Sequence, residues 1–488
     1  MSQECHPTHR FKALRRQTTS GSTPTRVLQR SARHALLDTM FMADFSIDPE
    51  LTEQLEWMRS FVREEIEEVD LAFGGEEAVY DKASPLWSDT LAPLQQKVKD
   101  RGLWSCHLTE EYGGQGYGQV KLAYMNEILG RSSFAPSIFG AQAPDSGNAE
   151  IIAHYGTDAQ KEQYLQPLID GRMSSTYNMT EPQGGADPAM FEFAATRDGD
   201  EWVLQGHKFY SSSFPYASFA IVMAVTDPDV PVYQGCSMFL VPTDAPGMKM
   251  ERMTGISGDA PGEGNHPLVH YDHVRVPDDA LLGGEGQAFA IAQTRLGGGR
   301  LHHGMRTVGM VGRVLDMMCE RALSRTTKGK LLARHQMTQE KIADTHIELQ
   351  QFKLQVLHAA WVVDQVGGQA ARAEIAAVKV ATPKVAREAV LRCIQLHGAL
   401  GISNEMPLGG MLVNSVVMGL ADGPTEVHKQ SLARQVLKGY TAADGMWPSE
   451  HLPERQAAAK VKYAAALAQH HAYRQDADKE DADKAASH

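Results

Sequence analysis

Cysteine is scarce, with five in 488 residues, and Cys5, Cys106, Cys236, Cys319 and Cys393 stand far apart with no CxxC pair. That excludes a disulfide framework and speaks against a zinc site, so no metal ligands are expected, and it suits a reducing compartment. Long hydrophobic runs are also missing. No stretch approaches the roughly 18 to 20 apolar residues that span a bilayer, and the N-terminus has no compact apolar core of the secretory type. Positive charge is in deficit, 47 Lys+Arg against 60 Asp+Glu for a net −13. A nucleic-acid backbone or an anionic membrane is therefore disfavoured as the main partner, and an anionic ligand must meet a local basic site. No GxGxxG follows a strand-like run, so a dinucleotide fingerprint is lacking. No repeat recurs at 20 to 50 residues, which removes solenoids and propellers.

What is present is an ordinary globular composition, 42% hydrophobic and 22% charged, in a chain long enough for two or three packed domains. Residues 1–41 are rich in Arg, Ser, Thr and His with only Glu4 and Asp38 as acids, and are expected to be a disordered or targeting arm, extending to residue 44. Met42-Ala43-Asp44-Phe45 reads like a natural start, so cytoplasmic placement in a bacterium and a mitochondrial matrix placement behind a transit peptide both remain open. Asp48-Pro49 predicts a helix start, and Leu51, Leu55, Met58, Phe61, Val62, Ile66 and Val69 follow at helical spacing. Helical texture persists over 45–173. Residues 174–284 turn to short β-branched and aromatic runs such as Phe219–Met223 and Ser237–Val241, which predicts a β domain. Helical periodicity returns over 285–440, and 441–488 reads as one peripheral helix with a charged tail.

Several motifs fall in order along this frame. Leu103-Trp104 precedes Glu110-Glu111-Tyr112-Gly113-Gly114; then come Tyr177 to Asp187, Arg275-Val276-Pro277, Arg325 to Leu332 with His335-Gln336, Gln395 to Gly398, and Asp422-Gly423. Together they resemble the acyl-CoA dehydrogenase family over about residues 45–440. Arg295 to His303 and the Ala421-Asp422-Gly423-Pro424 stretch narrow the resemblance to the long-chain and 4-hydroxyacyl branch that in animals is fused to a kinase-like domain. The resemblance implies an α+β multidomain subunit: an N-terminal helical domain, a middle β-barrel domain and a C-terminal four-helix bundle. It also implies FAD and a homodimer or homotetramer.

By the same resemblance, Tyr177, Met179, Thr180, Tyr210 and Ser212 flank the flavin ring, where an aromatic face stacks and a hydroxyl can bond N5. Read without the family, Tyr210 is an edge-strand residue. Arg325, Thr327, His335, Gln336, Gln395 and Gly398 hold the FAD pyrophosphate and adenosine across a subunit contact, with Thr425 and Glu426 completing the cofactor set; Arg325 otherwise reads as a solvated helix end. Ala186 stands in place of a family Ser near the CoA chain, and Lys328 in place of a Phe. Arg300 aligns with an Arg that orders the base, while His302 and His303 read as ordinary polar helix residues.

The family's base is a carboxylate. Its more common position corresponds to Asp422, one methylene shorter than the usual Glu, and its alternative position to Gly299, which carries none. Asp422 is the expected α-proton base, its pKa raised by desolvation; an N-cap role is the structural alternative. The implied reaction oxidises an acyl-CoA to a trans-2-enoyl-CoA, flavin N5 accepting the hydride and an electron-transfer flavoprotein the electrons. Reoxidation by oxygen, as in nitroalkane oxidase or acyl-CoA oxidase, and a non-catalytic flavin-binding scaffold are the rival readings.

Overall fold

The computed structural model describes residues 43–73, 79–443 and 445–486. The expectations for the N-terminal arm fall almost wholly outside these residues.

The first helix, α1 (Pro49–Phe61), opens as its sequence predicts, with Asp48 Oδ1 accepting the Leu51 N–H at 2.7 Å and proline in the first turn. It continues through a single π-helical turn (Val62–Ile66) into Glu67–Phe73. Leu51, Leu55, Met58, Phe61, Val62 and Ile66 are buried. α2 (Ala92–Asp100), α3 (Gly118–Leu129) and α4 (Asp145–Tyr155) are the other long helices of the N-terminal part.

Seven strands follow: β1 (Ser175–Asn178), β2 (Ala194–Asp198), β3 (Glu201–Lys208), β4 (Phe219–Val225), β5 (Cys236–Pro242), β6 (Met248–Arg252) and β7 (Leu268–Pro277). They form one sheet in the order β1-β4-β2-β3-β7-β6, with β5 also paired to β4. β4 shows why this segment reads as a continuous apolar run. Phe219, Ile221 and Met223 face one buried cluster, with Met238, Leu240 and the helical residues Ile151 and Ile152. Ala220, Val222 and Ala224 face another, with Phe193, Trp202, Phe239 and Tyr271. A strand covered on both faces has no polar side to alternate with.

After the sheet comes α5 (Ala288–Ser324), 37 residues long, then a two-stranded hairpin (Thr326–Thr327 with Lys330–Leu331). α6 (Gln336–Val366), α7 (Arg372–His397), α8 (Leu408–Val417) and α9 (Thr425–Leu437) complete the C-terminal bundle. α5 runs so close to α3 that a Cβ on Gly309 would lie 1.8 Å from the Glu127 carbonyl oxygen, and one on Gly130 1.9 Å from that of Arg306. Only hydrogen fits at either point. The N-terminal and C-terminal helices consequently share one hydrophobic cluster, in which Phe134 and Leu122 join Met305, Val311 and Val390.

Residues from Val436 onward belong to a separate unit. It holds two helices, α10 (Leu452–Lys462) and α11 (Ala464–Ala486), where the sequence led to one helix and a charged tail. The charged end stays helical because it is rich in alanine, a strong helix former, and because an i,i+4 pair, Lys484 with Glu480 at 3.4 Å, supports the turn. Among the described residues no helix is long and apolar enough to cross a membrane.

Candidate active site

Asp422 sits in the loop between α8 and α9 with φ of +55°, a left-handed conformation that Asp tolerates better than most residues. Its backbone is pinned from two sides: the carbonyl oxygen accepts from Arg300 Nε of α5 at 3.0 Å and faces His428 Nε2 of α9 at 3.1 Å. Lys379 of α7 donates to the Met418 carbonyl, tying down the start of the same loop. The carboxylate is turned towards His303 of α5, whose Nε2 lies 3.6 Å from Oδ2. It does not cap α9, whose Thr425 N–H goes to the Gly419 carbonyl at 3.0 Å.

Arg295, Arg300, His303 and Lys379 surround this carboxylate with positive or protonatable groups. Burial would raise its pKa, but His303 when protonated, then Arg295, Arg300 and Lys379, outweigh that and hold Asp422 below the ordinary carboxyl range. The rise expected from desolvation is therefore corrected: the surrounding cations outweigh it. Burial brings His303 itself down to about 4, with Arg306 adding to the effect. At neutral pH the pair is a carboxylate beside a neutral imidazole, and the two arginines with Lys379 keep the carboxylate ionised.

Around this centre lie Gly299, whose Cβ would stand 3.5 Å from Asp422 Oδ2, and Tyr177, whose ring lies 3.9 Å beneath the Arg295 guanidinium. Gly299 and Asp422, the two positions at which the resemblance would put the base, thus converge on one point. Arg295 Nε also donates to Asn148 Oδ1 at 2.9 Å. One turn away, Glu150 reaches to 3.2 Å from where a Gly298 Cβ would be; burial lifts its carboxyl to about 7 against the pull of Arg295.

The loop after β3 carries Tyr210, exposed, at φ +56° and stacked on Phe209 at 4.1 Å; it is not a strand residue. Ser212 Oγ meets His266 Nδ1 at 2.8 Å. Thr180 accepts the Phe209 N–H at 2.9 Å, and the Met179 carbonyl accepts from Lys208 Nζ at 3.0 Å. Lys208 is fully buried and also pairs with Glu181 at 2.8 Å. The second Glu181 oxygen accepts from Gln183 Nε2 and from the Glu192 and Phe193 N–H groups. That ion pair locks the Met179–Thr180 loop to the end of β3. Ala186 lies exposed just beyond it.

The remaining expected cofactor residues stand elsewhere. Arg325 caps the far end of α5, 25 residues after Arg300, or about 37 Å along the helix axis. Thr327, His335 and Gln336 follow it directly in the hairpin and at the start of α6. Gln395 and the Gly398 cap belong to that half as well, since Arg392 of α7 bonds Glu348 of early α6 at 2.7 and 2.9 Å. The expected cofactor residues of one chain therefore fall into two separate groups. Thr425 and the exposed Glu426 open α9 beside Asp422.

Models of the acyl-CoA dehydrogenase N-terminal, middle and C-terminal domains match residues 48–172, 176–263 and 286–437. FadE2 of Mycobacterium tuberculosis, named as an acyl-CoA dehydrogenase, is 40% identical over 376 residues, 74% of this chain and 91% of that protein. The chain belongs to the acyl-CoA dehydrogenase family. Acyl-CoA dehydrogenase family member 11 of Rattus norvegicus is likewise 40% identical, over 350 residues and 71% of this chain; the match spans 44% of that longer protein. A solved structure from Mycobacterium abscessus assigned as an acyl-CoA dehydrogenase superposes with a TM-score of 0.75 at 38% identity, covering 81% of this chain and all of that one.

Family membership makes FAD the group to test against the residues present. They fit: Ser211 Oγ and Asn265 Oδ1 are buried polar atoms without a hydrogen-bond partner in the region of Tyr210 and Ser212, and His335 Nε2 is another at the start of α6. His303, Lys379, Asn148 and Glu150 were not among the expected site residues. Arg295 and the two histidines at least fell in a singled-out motif; Lys379 is one lysine in a long helix, with no local signal.

Proposed function

We propose that this acyl-CoA dehydrogenase is an FAD-dependent oxidoreductase that desaturates an acyl-CoA thioester between its α and β carbons, with Asp422 as the α-proton base. The observation that carries the reading is Asp422 itself: an ionised carboxylate with its backbone pinned by Arg300 and His428, converging with Gly299 on one point. FAD, when bound, supplies the two-electron acceptor for hydrogen leaving the β carbon.

The chain's own residues then have distinct tasks. Arg295, Arg300 and Lys379 keep Asp422 deprotonated and ready at neutral pH, at the cost of weakening it as a base. Closing the acyl chain over the site removes water from the carboxylate and recovers part of that basicity. Arg300 positions Asp422 through its carbonyl, leaving both carboxylate oxygens available to the substrate. Tyr177, Met179 and Thr180 offer an aromatic face and backbone groups to the ring of the cofactor, and the Lys208–Glu181 pair fixes them. Arg325, Thr327, His335, Gln336, Gln395 and Gly398 serve the phosphate and adenosine end in a second copy of the chain, which makes the working enzyme a homodimer or a homotetramer. Ala186 borders the CoA side. The natural electron acceptor on this reading is an electron-transfer flavoprotein.

Anaerobic titration of the flavin-loaded protein with a panel of acyl-CoAs tests this. Bleaching of the flavin with formation of an enoyl-CoA is the expected outcome, and no bleaching with any chain length would overturn it. Because Asp is also the base of nitroalkane oxidase, admitting oxygen after reduction separates the rival: slow reoxidation marks a dehydrogenase, rapid reoxidation an oxidase.

A further inference from the structure

The end of the sheet carries a cluster that the proposed reaction does not use. His207 of β3 stands directly opposite His270 of β7, and β7 pairs in turn with β6, where Glu251 occupies the irregularity between Met250 and Arg252. Three adjacent strands thus each contribute one metal-ligating side chain. The two imidazoles stack with centroids 4.4 Å apart and planes within 8°. Glu251 Oε1 lies 3.3 Å from His207 Nε2 and 3.8 Å from His270 Nδ1, and one ligand atom from each of the three residues lies within 4.8 Å of the others. The side chains of His207, Glu251 and His270 are 42%, 36% and 31% exposed, so an ion can reach them from solvent. Among the described residues this is the one such group of three.

We propose that His207, Glu251 and His270 form a surface site for a divalent transition-metal ion of the zinc type. Two imidazole nitrogens and one carboxylate oxygen are the donors that borderline ions prefer, and three protein ligands leave a position for water. Small rotations about the His207 and His270 side chains bring the nitrogens from stacked to converging, and the exposed surface leaves room for them. The consequence is mechanical: β6 lies at the end of the sheet order, and a bound ion clips it to β7 and β3.

The test uses the untagged, flavin-loaded full chain, stripped with chelator and titrated calorimetrically with zinc chloride, alongside the His207→Ala, His270→Ala and Glu251→Gln variants. Wild type should take up about one ion more per chain than the His207→Ala/His270→Ala double variant. Each single variant should bind that ion at least roughly tenfold more weakly. Saturating zinc should raise the melting temperature of wild type and leave that of the double variant unchanged, since only a ligand bound to the native state stabilises it. The variants' circular dichroism and flavin content should match wild type, because all three side chains are at the surface. Equal zinc uptake and affinity in wild type and double variant, or no uptake by wild type at millimolar zinc, would overturn the proposal.

Discussion

Asp422 is held in a left-handed backbone conformation and in a ring of cations, and both facts bear on how it should respond to change. Asn tolerates the same conformation, so Asp422→Asn should fold and retain flavin, while anaerobic flavin reduction by substrate falls by about 10²- to 10⁴-fold, the range for loss of a general base. Reduction at the wild-type rate would remove Asp422 from the proton transfer. Asp422→Glu should also be slower, because the carboxylate position is already fixed by Arg300 and His428 acting on the backbone, and an added methylene pushes the oxygens past it. The contact of Arg300 with the Asp422 loop was legible in the sequence, because each residue lies in a local motif with strong neighbours. The ring of cations was not. Lys379 and His303 meet Asp422 only through the crossing of α7 and α5 with the loop before α9, a relation between distant segments that no spacing reveals.

At the level of elements, the Lys208–Glu181 pair is the joint on which the Met179–Thr180 loop depends. Lys208→Met would leave a buried carboxylate with three donors but no countercharge, a change that typically costs about 3 to 5 kcal/mol. A lowered urea midpoint together with reduced flavin content is the expected result; a midpoint equal to wild type would mean that Glu181 takes up a proton and relaxes without cost. Helix and strand textures were readable from period and composition, as the Asp48-Pro49 start and the doubly apolar β4 show. The shared core of the N-terminal and C-terminal helices was not readable, because it rests on the close crossing at Gly130 and Gly309, and a glycine in a helix looks the same in sequence whether it is buried against a backbone or not.

For the molecule as a whole, buried imidazoles are expected to set the acid limit of stability. Burial holds His107 at about 4 and lowers both His302 and His303. A histidine whose folded pKa lies below its unfolded value of about 6.5 binds its proton more readily in the unfolded chain, so its contribution is intact above about pH 6.5 and is lost as pH falls towards 4. Melting temperature should therefore drop steeply over that window, and His107→Gln should flatten the drop. Arg325→Ala belongs to this scale too: losing a charge-assisted phosphate contact is typically worth about 1.5 to 3 kcal/mol, seen as a lower flavin-to-protein ratio after gel filtration, with an unchanged ratio placing Arg325 outside the cofactor site.

The length of α5, with Arg300 and Arg325 about 37 Å apart, has a genetic counterpart. If each flavin is held by Asp422 of one copy and Arg325 of another, a chain carrying Asp422→Asn and a chain carrying Arg325→Ala are defective at opposite ends of the same helix. Co-expressed, they should complement each other: every hybrid pair assembles one site with both residues intact and one with both altered, and the activity of the mixture rises above that of either variant alone.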